Sequence, residues 1–122
     1  MGKLKVLLVD DEESVLSVGR RMLELLGFSV LTAGNGIEAL AVFREHAGSI
    51  VCVILDLTMP MMNGVEAFRE LILLKPDIKV IISSGYSEYE ISERFAGNKV
   101  SGFVQKPYHF EEFAAKLKEV IG

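Results

Sequence analysis

Ile50-Val51-Cys52-Val53-Ile54-Leu55 is an unbroken apolar run, rich in β-branched side chains, that halts at the carboxylate of Asp56. Its length suits one strand, and the lack of polar alternation means that both faces of that strand must be covered. Similar runs lie on either side of it in the chain: Leu4 to Val9, Phe28 to Thr32, Ile78 to Ser83 and Gly102 to Gln105. Cys52 is the single cysteine, and inside such a run it reads as a small core hydrophobe rather than a reactive thiol.

Between the strands the period changes to that of a helix. Val15, Val18, Met22 and Leu25 with Leu26 mark one face of a first helix, which Gly27 stops. A weaker stripe of Ile37, Leu40, Ala41 and Arg44 precedes Gly48. A third helix starts near Gly64, turns Val65, Phe68 and Leu71 or Ile72 inward and ends before Pro76; a fourth spans Glu88 to Phe95 and is closed by Gly97-Asn98. Phe110, Phe113, Ala114, Leu117, Val120 and Ile121 define the fifth. Five strand-then-helix units predict an α/β fold: a doubly wound, five-stranded parallel sheet with helices on both faces. Ligands of such sheets sit at the carboxyl ends of the strands, where the strand order reverses.

The bulk numbers narrow the function. A chain of 122 residues that is 50% hydrophobic fills one domain, so residues 1–122 read as a single unit. The 13 basic residues are scattered against 17 acidic ones, for a net charge of -4. No basic stripe is present to track a nucleic-acid backbone. No apolar stretch approaches the ~18 residues of a membrane span. Met1-Gly2-Lys3 runs straight into the first strand with no space for a secretory signal, and the chain reads as cytoplasmic.

The residues that follow the strands carry the chemistry. Asp10-Asp11 follows the first, Asp56 the third, Ser83-Ser84-Gly85 the fourth and Lys106-Pro107 the fifth. If the first and third strands are neighbours, three carboxylates converge. Two like charges about 4 Å apart repel by roughly 4 kcal/mol at an effective dielectric near 20, so the cluster needs a cation or a raised pKa. A few hard oxygen ligands, with room for water and phosphate, suit Mg2+. A carboxylate beside Mg2+, a lysine and a hydroxyl is equipped to attack phosphorus. Asp56 stands alone, as suits a nucleophile; Asp10 and Asp11 stand as a pair, as suits metal ligation. Ser84 and Lys106 are placed to hold phosphoryl oxygens. Taken singly, each has a plainer reading: Asp10-Asp11-Glu12-Glu13 as an acidic first helical turn, Asp56 as a turn former, Ser84 as a local cap, Lys106 as a solvated charge. Their joint placement at strand ends is what chance explains poorly.

Val9-Asp10-Asp11-Glu12, Leu55-Asp56-Leu57-Thr58-Met59-Pro60-Met61-Met62-Asn63-Gly64, Ser83-Ser84-Gly85 and Lys106-Pro107 together resemble bacterial response-regulator receiver domains, along the whole chain and in order. The resemblance implies a flavodoxin-like strand order 2-1-3-4-5. It implies phosphorylation of Asp56 by a phosphohistidine of a sensor histidine kinase or a histidine phosphotransfer protein. It also implies Mg2+ held by Asp11, Asp56 and the backbone carbonyl of Thr58, with Asp10 assisting through water. Lys106 is then expected on the phosphoryl group, ahead of a cis Lys106-Pro107 bond, and Ser84 and Phe103 form the switch, with phenylalanine where the family often has tyrosine. Thr58 and Tyr86 flank the path of hydrolytic water. Such a domain assists its own phosphorylation and dephosphorylation without being a turnover enzyme, and Ser84-Gly85-Tyr86-Ser87 looks most like the receiver of a hybrid kinase.

Three rival readings fit less well. A haloacid-dehalogenase-type phosphatase needs a second aspartate two residues after its nucleophile, where this chain has Thr58. Gly34-Asn35-Gly36-Ile37-Glu38-Ala39 fits a dinucleotide fingerprint but follows the second strand, while the first strand ends in acids that would repel a pyrophosphate. A degenerate receiver would lack some of Asp10, Asp11, Asp56, Ser84 and Lys106. His46 and His109 read as surface or capping residues. Of Met59, Met61 and Met62, one is expected to pack beneath the site.

Overall fold

The computed structural model describes residues 4–59, 62–92, 95 and 100–122. Five strands, β1 (Lys5–Val9), β2 (Ser29–Ala33), β3 (Ile50–Asp56), β4 (Lys79–Ser84) and β5 (Gly102–Gln105), alternate with α1 (Glu13–Leu25), α2 (Gly36–His46), α3 (Gly64–Leu74), α4 (Glu88–Ser92) and α5 (Phe110–Ile121). The strands pair in parallel in the order 2-1-3-4-5. Strand order reverses between β1 and β3, and Val9 is level with Leu55 there, so the acids that follow both strands emerge side by side.

The unbroken apolar strands are explained by two cores, one on each face. Leu7, Val9, Val53, Leu55, Val80 and Ile82 face Phe43, Phe68, Leu71 and Ile91 of α2, α3 and α4. Val6, Leu8, Cys52, Ile54 and Ile81 face Leu23, Phe113 and Leu117 of α1 and α5. Each such side chain, fully buried, contributes roughly 1.5–3 kcal/mol. Cys52 is fully buried, and burial pushes its thiol up to about 12, so it stays protonated and inert.

Helix facings depart from the expected stripes. In α1, Val18 and Leu25 are 48% and 71% exposed, whereas Gly19 and Leu23 are buried. The reason is close packing: a Cβ on Gly19 would lie 2.8 Å from Leu8 Cδ2, so the helix presses its bare glycine against the sheet. In α2, Ile37, Ala41 and Arg44 face solvent, and Ala39, Leu40 and Phe43 go inward. Phe110 is likewise exposed, leaving Phe113 and Leu117 to anchor α5. In α3, Phe68 and Leu71 point inward as expected, joined by Ala67. Gly27 ends α1 with φ +96°, the left-handed conformation that glycine adopts at no steric cost. The described part of the fourth helix stops at Ser92, and the expected closure at Gly97-Asn98 lies outside the described residues. Phe95 is buried against Phe68, ring centroids 5.5 Å apart and nearly perpendicular. Met59 is buried and Met62 packs partly against the same core, while Met61 lies outside the described residues. His46 closes α2 half-buried; His109 takes the N-cap position of α5, but its side chain makes no capping bond. Among the described residues no helix is long and apolar enough to cross a membrane.

Candidate phosphoacceptor site

Asp10 follows β1 directly and is fully buried. Its Oδ1 accepts the Glu12 N–H at 2.9 Å, which satisfies a backbone donor at the entry to α1. The acidic-turn reading holds only for Glu13, the one acid in the first turn of α1; Asp10 lies ahead of the helix, where it fixes the Glu12 peptide as well as facing the site. Asp11, one residue on, is exposed at the mouth. Asp56 is the last residue of β3 and is only 2% exposed. The peptide after it is fixed by the Leu57 N–H, which donates to the Ser83 carbonyl at 2.9 Å. Downstream, Asn63 and Glu66 form a reciprocal capping box that starts α3 and closes the loop.

The carboxylates of Asp10, Asp11 and Asp56 each offer an oxygen within 4.8 Å of the other two. Lys106 projects over the end of β5 and donates from Nζ to Asp10 Oδ2 and Asp56 Oδ1, both at 3.0 Å. One ammonium thus bridges two buried carboxylates, and the remaining negative charge is what a dication would neutralise. Burial pushes the Asp56 carboxyl up to about 6, and the neighbouring Asp10 charge adds to this; Lys106 and a backbone hydrogen bond from Thr58 pull the other way. Burial disfavours the Lys106 charge, but the two carboxylates outweigh it and hold the ammonium at about 12.

Ser84 ends β4, is 3% exposed, and accepts the Tyr86 N–H on Oγ at 3.0 Å, which leaves its own hydroxyl proton available. Asp11, Thr58, Ser84, Tyr86 and Lys106 wall an open cleft of about 560 Å³ that has Asp56 on its surface. Tyr86 belongs to this wall yet is 55% exposed. Phe103, on β5, packs against the core and meets the Phe95 ring edge-on, centroids 6.3 Å apart. The Lys106-Pro107 bond is cis, as the resemblance implied. Sequence reasoning gave Ser83 no role of its own and passed over Tyr108, yet their buried hydroxyls are hydrogen-bonded at 2.8 Å. The available signal was a tyrosine directly after Lys106-Pro107.

The sequence profile of the response regulator receiver domain matches residues 6–118. The chain belongs to that family. This receiver is 38% identical to the sensor kinase CckA of Brucella abortus (strain 2308), over 98% of its own length and 13% of that kinase. It therefore corresponds to one segment of a much longer relative. It matches the response regulator receiver domain protein of Clostridium thermocellum at a TM-score of 0.88 and 30% identity, covering 97% of this chain and 94% of that one. It matches the CheX–CheY–BeF3–Mg complex of Borrelia burgdorferi at 0.87 and 26%, covering 98% and 90%. Receivers are phosphoacceptor signalling domains of two-component systems that generally bind Mg2+, and the family is not one of classical turnover enzymes.

Proposed function

We propose that residues 1–122 form a receiver domain in which Asp56 takes the phosphoryl group from a phosphohistidine of a sensor histidine kinase or histidine phosphotransfer protein. The observation that carries this reading is Lys106 held 3.0 Å from both Asp10 and Asp56, in a cluster where three carboxylate oxygens converge. A carboxylate oxygen of Asp56 forms the new bond to phosphorus as the phosphorus–nitrogen bond breaks. The electron pair leaves on the imidazole nitrogen, and Lys106 and Ser84 hold phosphoryl oxygens as charge builds on them. Asp11, Asp56 and the Thr58 carbonyl would hold Mg2+, with Asp10 behind them; the donors are all hard oxygens around an excess of negative charge, which fits that ion. When bound, Mg2+ supplies charge neutralisation for the incoming phosphoryl group. The CheX–CheY–BeF3–Mg complex supports the same chemistry on a similar fold. Ser84 and Phe103 would relay the change to a partner or an attached domain in the cytoplasm, and the similarity to the receiver domain of the hybrid histidine kinase CckA supports a place within a hybrid kinase.

Incubation with acetyl phosphate and Mg2+ should add one phosphoryl mass, and chelation should stop it; labelling that persists in chelator would contradict a metal-dependent site. Asp11→Ala should weaken Mg2+ binding and labelling together. Loss of even an outer partner of a metal typically costs about 10- to 100-fold in affinity, so loss of this ligand should cost at least about tenfold. Titration calorimetry of parent and variant decides the point.

Thr58 and Tyr86 would set how long the phosphoryl group survives. Neither is a carboxylate or amide suited to orient an attacking water, and Tyr86 narrows the cleft from which water arrives. Tyr86→Ala should therefore shorten the phosphorylated lifetime after donor removal at fixed Mg2+, and Ala at the exposed Glu119 should not. Equal decay of Tyr86→Ala and the parent would refute the shielding role while leaving Asp56 as acceptor.

A further inference from the structure

Ser83 and Tyr108 share a hydrogen bond of 2.8 Å between hydroxyls that are both buried, 25 residues apart in sequence. Their backbone connections give the bond its meaning. The Ser83 carbonyl holds the Leu57 N–H, next to Asp56, and the adjacent Ser84 carbonyl holds the Lys106 N–H at 2.7 Å. Pro107 has no N–H to offer, so the next polar anchor after Lys106 is the Tyr108 hydroxyl. The Tyr108 ring is clamped as well, 4.7 Å from the Phe113 ring and 3.2 Å from where a Cβ on Gly19 would stand. Ser83 thus joins, through its carbonyl and its hydroxyl, the peptide that follows the acceptor and the turn that carries the lysine.

We propose that Tyr108 is a positioning residue for phosphoryl transfer: tied to Ser83, it sets the turn from which Lys106 reaches Asp56. The inference rests on the phosphoacceptor reading of Asp56. Tyr108 touches neither donor nor metal; it acts through the placement of Lys106. A long side chain that stabilises charge on a phosphoryl group must be held to a fraction of an ångström, and a misplacement of about 1 Å can cost on the order of 100-fold in rate.

The test is a mutant cycle of Tyr108→Phe, Ser83→Ala and the double variant. Each is followed by urea unfolding and by the rate of acetyl phosphate labelling with saturating Mg2+ across donor concentrations. Each single change leaves a buried hydroxyl without its partner and should lower stability, whereas the double change removes both groups and should recover most of it. Positioning predicts that the maximum rate falls about tenfold in Tyr108→Phe and stays low in the stable double variant, with the half-saturating donor concentration little changed. A purely structural bond would instead let the rate recover with the stability. Parent-like maximum rates in Tyr108→Phe or in the double variant overturn the positioning role alone. Failure of the parent chain to label at Asp56 overturns both this inference and the reading beneath it.

Discussion

Asp56→Asn is expected to abolish phosphoryl labelling and, with Mg2+ chelated at neutral pH, to make the fold more stable. Loss of labelling follows from chemistry, because the amide has no anionic oxygen to attack phosphorus. The stability gain follows from linkage. Burial and Asp10 raise the Asp56 carboxyl from 3.8 to about 6, so between those values the folded chain keeps a proton that the unfolded chain has lost. Stability attached to this group is fully present below about pH 4, falls as pH rises towards 6, and stays at its lower level above that. Asparagine never acquires the charge, so at pH 7.5 the variant should be more stable by roughly 2–3 kcal/mol, at about 1.4 kcal/mol per pKa unit. The gain should vanish near pH 4. Urea melts at both pH values in chelator measure it, and a lower unfolding midpoint for the variant at pH 7.5 would contradict a raised Asp56 pKa. Residual phosphoryl mass in the variant would remove Asp56 from its role.

Gly64→Ala should damage both the fold and the site. Gly64 opens α3, and its N–H donates to the Leu57 carbonyl at 2.8 Å. A Cβ there would lie 2.5 Å from the Asp56 carbonyl oxygen and 2.7 Å from Leu57 Cα. Both obstacles are backbone at the end of β3, so no side-chain rotation relieves them. The helix must withdraw from the strand, and the loop holding Thr58 moves with it. The cost is expected near the upper end of the usual overpacking range, about 3 kcal/mol, with labelling slowed by about tenfold or more. Gly48→Ala is the control, since Gly48 is exposed with nothing within 4 Å of a Cβ. Unfolding curves that overlay for Gly64→Ala and Gly48→Ala would refute the steric argument.

The sequence by itself determined the architecture and pointed to the residues that meet in the candidate site. Strands covered on both faces cannot hide: Val53 and Leu55 serve one core, Cys52 and Ile54 the other, and the run between Ile50 and Asp56 had no position left for a polar residue. Asp10, Asp11, Asp56, Ser84 and Lys106 were legible because residue type and strand-end position coincide at each. Tertiary structure decided the rest. The facing of α1 moved because Gly19 lies against Leu8 of the sheet, and a small residue that allows close approach adds nothing to a hydrophobic stripe. Only the folded chain brings one lysine to two carboxylates, turns Asp10 into both a helix anchor and a site residue, and joins Ser83 to Tyr108. The Lys106 and Tyr108 contacts join residues 25 to 96 apart in sequence, and their geometry comes from sheet register and helix packing, which no local pattern of residues encodes.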